Sequence, residues 1–157
     1  MNEEPGKGSI LLYQTGDGTS KIEVTLAQDT VWLTADQMAE LFQRNKSTIS
    51  RHVKKVFDSG ELEANSVVAF FATTALDRKT YQVAYYNLDM IISIGYRVNS
   101  YRGVQFRMWA TQVLRDYLVK GFAMNDDLLK RAGGGNYFDE LLARTRDIRS
   151  SEKVFYR

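Results

Sequence analysis

A chain of 157 residues with 44% hydrophobic content is long enough to bury a core, and nine tyrosines and eight phenylalanines supply bulky material for it. A formal net charge of +2 excludes a global polycation, so any surface for nucleic acid must come from local segregation of charge. The absence of cysteine excludes a disulfide framework and thiolate metal sites, and it suits a reducing compartment.

Residues 1–8 are polar, with Pro5, Gly6 and Gly8, and read as a frayed lead. They lack the basic start and sustained apolar run of a signal peptide, and the longest apolar-rich stretch, Leu88 to Val98, is far shorter than a bilayer span. The expected location is the cytoplasm, with no membrane partner. Ser9–Gln14 and Lys21–Leu26 read as strands flanking a turn over 15–20. A third strand, Thr30–Leu33, follows the turn Ala27-Gln28-Asp29, and its Trp32 reads as a core anchor beneath the helices that come next.

Thr34 to Phe57 has the outline of a helix-turn-helix. Thr34 and Gln37 form a capping-box pattern, and Met38, Leu41 and Phe42 fall at helical spacing. The pattern breaks at Gln43-Arg44-Asn45 and restarts with Ile49, Val53 and Phe57, with Asn45 or Ser47 as the cap of a helix over 46–57. The turn has no glycine; Gln43 and Asn45 stand where one is often found. Arg44, Lys46, Arg51, Lys54 and Lys55 fall within twelve residues that contain no acid, whereas residues 1–33 carry five acids against Lys7 and Lys21. The five cations are candidates for neutralising phosphates of double-stranded DNA. Asn45, Ser47, Thr48 and Ser50 between them are candidates for reading base edges, since such helices enter the major groove by their N-terminal end.

Asp58-Ser59-Gly60 ends the second helix, and Glu61 to Ser66 reads as a polar connector with solvated acids. Val67–Thr74 and Thr80–Tyr86 form a hairpin, with Tyr81, Val83 and Tyr85 alternating onto one face. A hairpin after a helix-turn-helix is a wing, and Arg78 and Lys79, in the tip 77–79, are its candidate phosphate contacts. Asn87 caps a helix whose apolar residues surround it almost completely, with Gly95 permitting close packing. Asn99 to Gly103 reads as a loop, leading to a helix from Val104 to about Val119. Its expected core stripe is Phe106, Trp109, Ala110, Val113, Leu114, Tyr117 and Leu118. Arg97, Arg102 and Arg107 either grip a phosphate or pair with Asp89 and Asp116, and pairing is the preferred reading. Gly121 ends the long helix, Met124–Lys130 reads as a short turn, and 131–136 reads as a glycine hinge. A last helix, Tyr137 to Arg157, spaces Phe138, Leu141, Thr145, Ile148, Glu152 and Phe155 as an imperfect heptad. That exposed stripe suggests a homodimer through the C-terminal helix.

The fold class expected is α+β: a winged helix-turn-helix-like domain with N-terminal β-strands, a β-hairpin wing, packed helices and a C-terminal helical extension. The division expected is a DNA-binding domain over 1–131 and a C-terminal helix over 136–157. The segments SILLYQT, KIEVTL, TVWLTADQMAELF, YYNLDMIISIGYRVNSYRGVQFRMWATQVLRDYLVKGF and NYFDELLARTRDIRSSEKVFY resemble the RhuM family of bacterial proteins. VWLTADQMAELF followed by YRVNSYRGVQFRMWATQVL is more remotely similar to the Bro-N type domain of phage antirepressors. The resemblance implies a DNA-binding protein, associated by family name with virulence and often continuing past the equivalent of Arg157. It carries no catalytic residues. His52 is the only histidine, there is no phosphate loop and no histidine–carboxylate metal spacing, so no enzyme and no cofactor are expected. A magnesium nuclease built on Asp58, Glu61 and Glu63 is the enzymatic alternative. The main alternative to a transcriptional regulator is an antirepressor-like protein–protein interaction module that does not bind DNA directly.

Overall fold

The computed structural model describes residues 10–14, 21–27, 30–74, 76–131 and 136–155. The lead over 1–8, the turns over 15–20 and 28–29, and the glycine run 132–135 fall outside these. The chain divides into two compact units, Met1–Gln112 and Val113–Arg157. Among the described residues no helix is long and apolar enough to cross a membrane.

The first unit is α+β. Its strands are β1 (Ile10–Gln14), β2 (Lys21–Ala27), β3 (Thr30–Thr34), β4 (Val68–Thr74) and β5 (Thr80–Asn87). They form one antiparallel sheet in the order β1-β2-β3-β5-β4. Between β3 and β4 lie α1 (Ala35–Phe42), α2 (Lys46–Asp58) and the single turn α3 (Ala64–Val67). The chain therefore leaves the sheet to build three helices and returns as a hairpin whose second strand pairs with β3, Leu33 opposite Tyr86. After β5 come α4 (Leu88–Arg97) and α5 (Tyr101–Lys120), the division between units falling inside α5.

Strand alternation decides which residues meet the helices. Val31 and Leu33 join the buried cluster with Met38, Leu41, Phe42, Ile49, Val53 and Val56, and with Met90, Ile91 and Ile94 of α4. Trp32 points the other way. It is only 5% exposed, yet its partner is the Phe71 ring, edge-on at 6.3 Å, which in turn meets Tyr85 at 5.0 Å. The expected anchor beneath the helix pair thus belongs to the opposite face of the sheet. α4 is buried on one side and leaves Ile92 and Tyr96 exposed, so it is not surrounded by core.

Local signals set the helix ends. Thr34 Oγ1 accepts from Gln37 N–H at 3.1 Å while Thr34 N–H donates to Gln37 Oε1 at 2.8 Å, a complete capping box. Asn87, itself buried, accepts from Met90 N–H at 3.3 Å and donates to Ser66 O at 3.4 Å, so both ends of its amide are used. Gly60 and Gly121 take positive φ after α2 and α5.

Of the loop expected over Asn99–Gly103, Asn99 and Ser100 are non-helical, whereas Tyr101 to Gly103 instead begin α5. Ser100 caps it, accepting from Gly103 N–H at 3.0 Å. Gly103 is buried inside the helix because a Cβ there would meet the Val98 side chain at 2.6 Å and the Val98 carbonyl at 2.8 Å. Close approach, not a turn, calls for the glycine. At Gly95 a Cβ would collide with the Phe106 ring, which sits edge-on to Phe42 at 5.6 Å. Phe106 is the last buried apolar residue among those described; of the expected α5 stripe, Trp109, Val113, Leu114, Tyr117 and Leu118 are all exposed. Periodicity marked an apolar face, but the core reaches only its start.

The second unit holds the rest of α5, α6 (Asp126–Arg131) and α7 (Asn136–Phe155). Where a turn was expected, Asn125 caps α6 by accepting from Leu128 N–H at 3.1 Å. On α7 Phe138 and Leu141 are half-buried, and Ile148 is 71% exposed.

Candidate nucleic-acid interface

α1 and α2 are joined by three residues, Gln43-Arg44-Asn45. Gln43 takes the left-handed conformation (φ 53°, ψ 47°) that a glycine often supplies, and its backbone N–H donates to the Ala39 and Glu40 carbonyls. Its side chain adds a donation to Glu40 O at 3.2 Å. Asn45 then caps α2. Its Oδ1 accepts from Thr48 N–H at 2.9 Å, Thr48 Oγ1 at 2.7 Å and Ser47 Oγ at 2.9 Å. An open, polar depression lies at the turn, lined by Ala39, Glu40, Gln43, Arg44, Asn45 and Thr48.

The buried stripe of α2 is Ile49, Val53 and Val56. Opposite it, Ser47, Arg51 and Lys54 face outward, with Ser50 and Lys55 exposed on the flanks and Thr48 half-buried at one edge. The predicted residues therefore share one helix but not one role. Asn45, Ser47 and Thr48 spend hydrogen-bonding groups on the cap, and Thr48 Oγ1 also accepts from Arg51 Nη2 at 3.2 Å. Lys46 lies 3.5 Å from Asp36 of α1 across an exposed pair, so part of its charge is answered within the protein. Arg44, Ser50, Lys54 and Lys55 are exposed.

The hairpin tip is also shaped by its own side chains. Asp77 accepts from the Tyr81 hydroxyl at 2.6 Å and from Lys79 N–H at 2.9 Å, and these bonds, the first above all, hold its carboxyl below the usual range. Between them Arg78 adopts φ 64°. Arg78 and Lys79 are both exposed.

Residues read as solvated, or as pairing with Asp89 and Asp116, have other structural partners. Glu61, expected to be free on a connector, accepts from Ser93 Oγ at 3.0 Å and pairs with Arg97 at 2.5 Å. The Arg97 guanidinium and then the Ser93 hydroxyl depress its pKa. Arg97 pairs with Glu61, not Asp89, and Arg107 donates to the carbonyls of Gly95 at 3.1 Å and Val98 at 2.9 Å, closing the end of α4. Ser100 Oγ donates to the Phe42 carbonyl at 2.6 Å. Contacts from α4 and from Ser100 at the cap of α5 thus fasten the C-terminal end of each helix of the pair: Phe42 at the close of α1, Glu61 just past α2. Sequence pattern gave no signal for these bonds, because each joins residues more than thirty positions apart.

His52 is half-buried on the flank of α2. Partial burial lowers its pKa, and the positive charges of Lys55, Arg97, Arg51 and Arg44 lower it further. Four cations around one imidazole mark this side of the helix as positive. Among the described residues no three His, Cys, Asp or Glu side chains gather as a metal-binding group.

A family model described as the virulence protein RhuM family matches residues 66–157, more than half of the chain. The chain belongs to the RhuM family. The matched stretch begins just before β4 and takes in the hairpin, α4, α5 and everything after them; α1 and α2 lie before it. No curated protein and no solved structure matches the chain.

Proposed function

We propose that this RhuM-family chain is a sequence-specific DNA-binding protein of the bacterial cytoplasm, acting as a transcriptional regulator. In this reading α2 lies in the major groove and the hairpin tip 77–79 rests on the phosphate backbone, as in a winged helix-turn-helix. The observation that carries it is the outward face of α2, where Arg51 and Lys54 are exposed, with Lys55 on the flank, in a stretch without an acid from Arg44 to Lys55. The pairing of β5 with β3 supports it, because it ties the hairpin to the strand that feeds α1. The chemistry is binding alone, with no catalytic step and no cofactor.

A homodimer through α7 completes the proposal. The outward apolar residues of α5 and α7, Leu118 (77% exposed) and Ile148 among them, are what a second copy would cover. That same surface favours the second reading, an antirepressor-like module that binds another protein and not DNA. Fluorescence anisotropy on a random-sequence duplex at low salt separates the two. Replacing Arg51, Lys54 and Lys55 together by Ala abolishes binding if DNA is the partner. No binding by the folded wild type gives the place to the protein-binding reading, and binding unchanged in that variant removes α2 from the DNA contact.

A further inference from the structure

On α2 the cations differ in how they are held. Lys46 is drawn toward Asp36, while Lys54 and Lys55, like Arg44 in the turn before the helix, extend from the surface. Arg51 stands at the middle of the outward face and is braced from below. Asn45 Oδ1 fixes the Thr48 hydroxyl at 2.7 Å, and that hydroxyl oxygen accepts from Arg51 Nη2 at 3.2 Å. The chain of bonds Asn45–Thr48–Arg51 runs from the helix cap to the guanidinium. It uses one hydrogen of Nη2 and leaves the other donors of the planar fork, on an exposed side chain, available to a ligand. A long side chain restrained before binding loses less rotamer freedom when it binds, and a restrained fork distinguishes geometry better than a mobile ammonium.

We propose that Arg51 is the base-reading residue of this helix and that its target is guanine. Thr48 and Asn45 are positioning residues behind it. This rests on the DNA-binding reading above. In the major groove guanine alone presents two adjacent acceptors, O6 and N7, to a two-pronged donor; adenine pairs its N7 with an amino donor, and thymine pairs its O4 with a methyl group. Ser47, with its hydroxyl turned back to Asn45, is left with the helix cap and not the base.

The test is selection from duplexes with a randomised core by wild type, Arg51→Lys, Thr48→Val and Thr48→Ser, followed by affinity for the selected duplex with 7-deazaguanine at the chosen position. Wild type is expected to select guanine at a fixed position and to lose on the order of tenfold in affinity when N7 is removed. Arg51→Lys keeps the charge and loses both effects. Thr48→Val weakens the guanine preference and Thr48→Ser restores it, which a purely structural cap would not do at constant helicity. Uniform weakening of Arg51→Lys on every sequence, with the selected bases unchanged, overturns the proposal and makes Arg51 a phosphate contact. Wild type that binds duplex without selecting bases overturns it while leaving DNA binding in place. A folded wild type that binds no duplex removes both.

Discussion

Gln43 carries the backbone strain of the helix pair. A left-handed residue with a Cβ costs roughly 1 kcal/mol more than glycine in the same place, so Gln43→Gly is expected to stabilise the fold by about 0.5–1 kcal/mol in urea unfolding. A loss would mean that the Gln43 bond to Glu40 O outweighs the strain. Asn45→Ala removes the acceptor of three bonds and is expected to cost about 1 kcal/mol in the same measurement. His52 adds a pH dependence. Its folded pKa lies below the ordinary 6.5, first through burial and then through Lys55, so between the two values the unfolded chain binds more protons. Stability therefore falls as pH drops through that window and is recovered above it. The thermal midpoint of wild type should decrease from about pH 7.5 to about pH 5.5, and His52→Gln should narrow the difference. An equal decrease in the variant would assign the effect to other groups. Asn45 as the cap was legible in the sequence. The bond from Arg51 to Thr48 was not, since it depends on side-chain rotamers that no spacing encodes.

At the scale of elements, the helix starts at Thr34 and Asn87 and the stops at Gly60 and Gly121 could be read because each is decided within four residues. Gly103 was misread for a physical reason: glycine serves both turns and close contacts, and only the position of Val98 shows which. Trp32 was placed on the wrong face because three residues of alternation give parity but not which side the helices cover. The same applies to α5, whose stripe is plainly apolar while the core stops at Phe106. Packing at the α4–α5 corner gives the firmest prediction here. Gly95→Ala drives a methyl into the Phe106 ring and is expected to cost about 1–3 kcal/mol. Combined with Phe106→Leu, part of that cost should be recovered in a double-mutant cycle; strict additivity would show that the two do not meet.

For the whole molecule, membership of the RhuM family rests on residues 66–157, while the proposed DNA contacts lie mostly before them, on α2. The α+β class was legible from the alternation of strand and helix patterns. The sheet order was not, because pairing of β3 with β5 bridges a separation of about fifty residues that periodicity does not see. If α7 forms a homodimer, Ile148→Asp should shift sedimentation from dimer to monomer without unfolding the first unit, whose core does not include it. A wild type that is monomeric at high concentration would remove that arrangement. The central claim is tested most directly by the salt dependence of binding to random duplex DNA. With five or six phosphates neutralised by residues such as Arg44, Lys54, Lys55, Arg78 and Lys79, log K should fall against log salt with a slope of roughly −5. It should become shallower by roughly one for each of these cations removed. A slope near zero, or one unchanged when Lys54 and Lys55 are replaced by Ala, would contradict the placement of α2 on DNA.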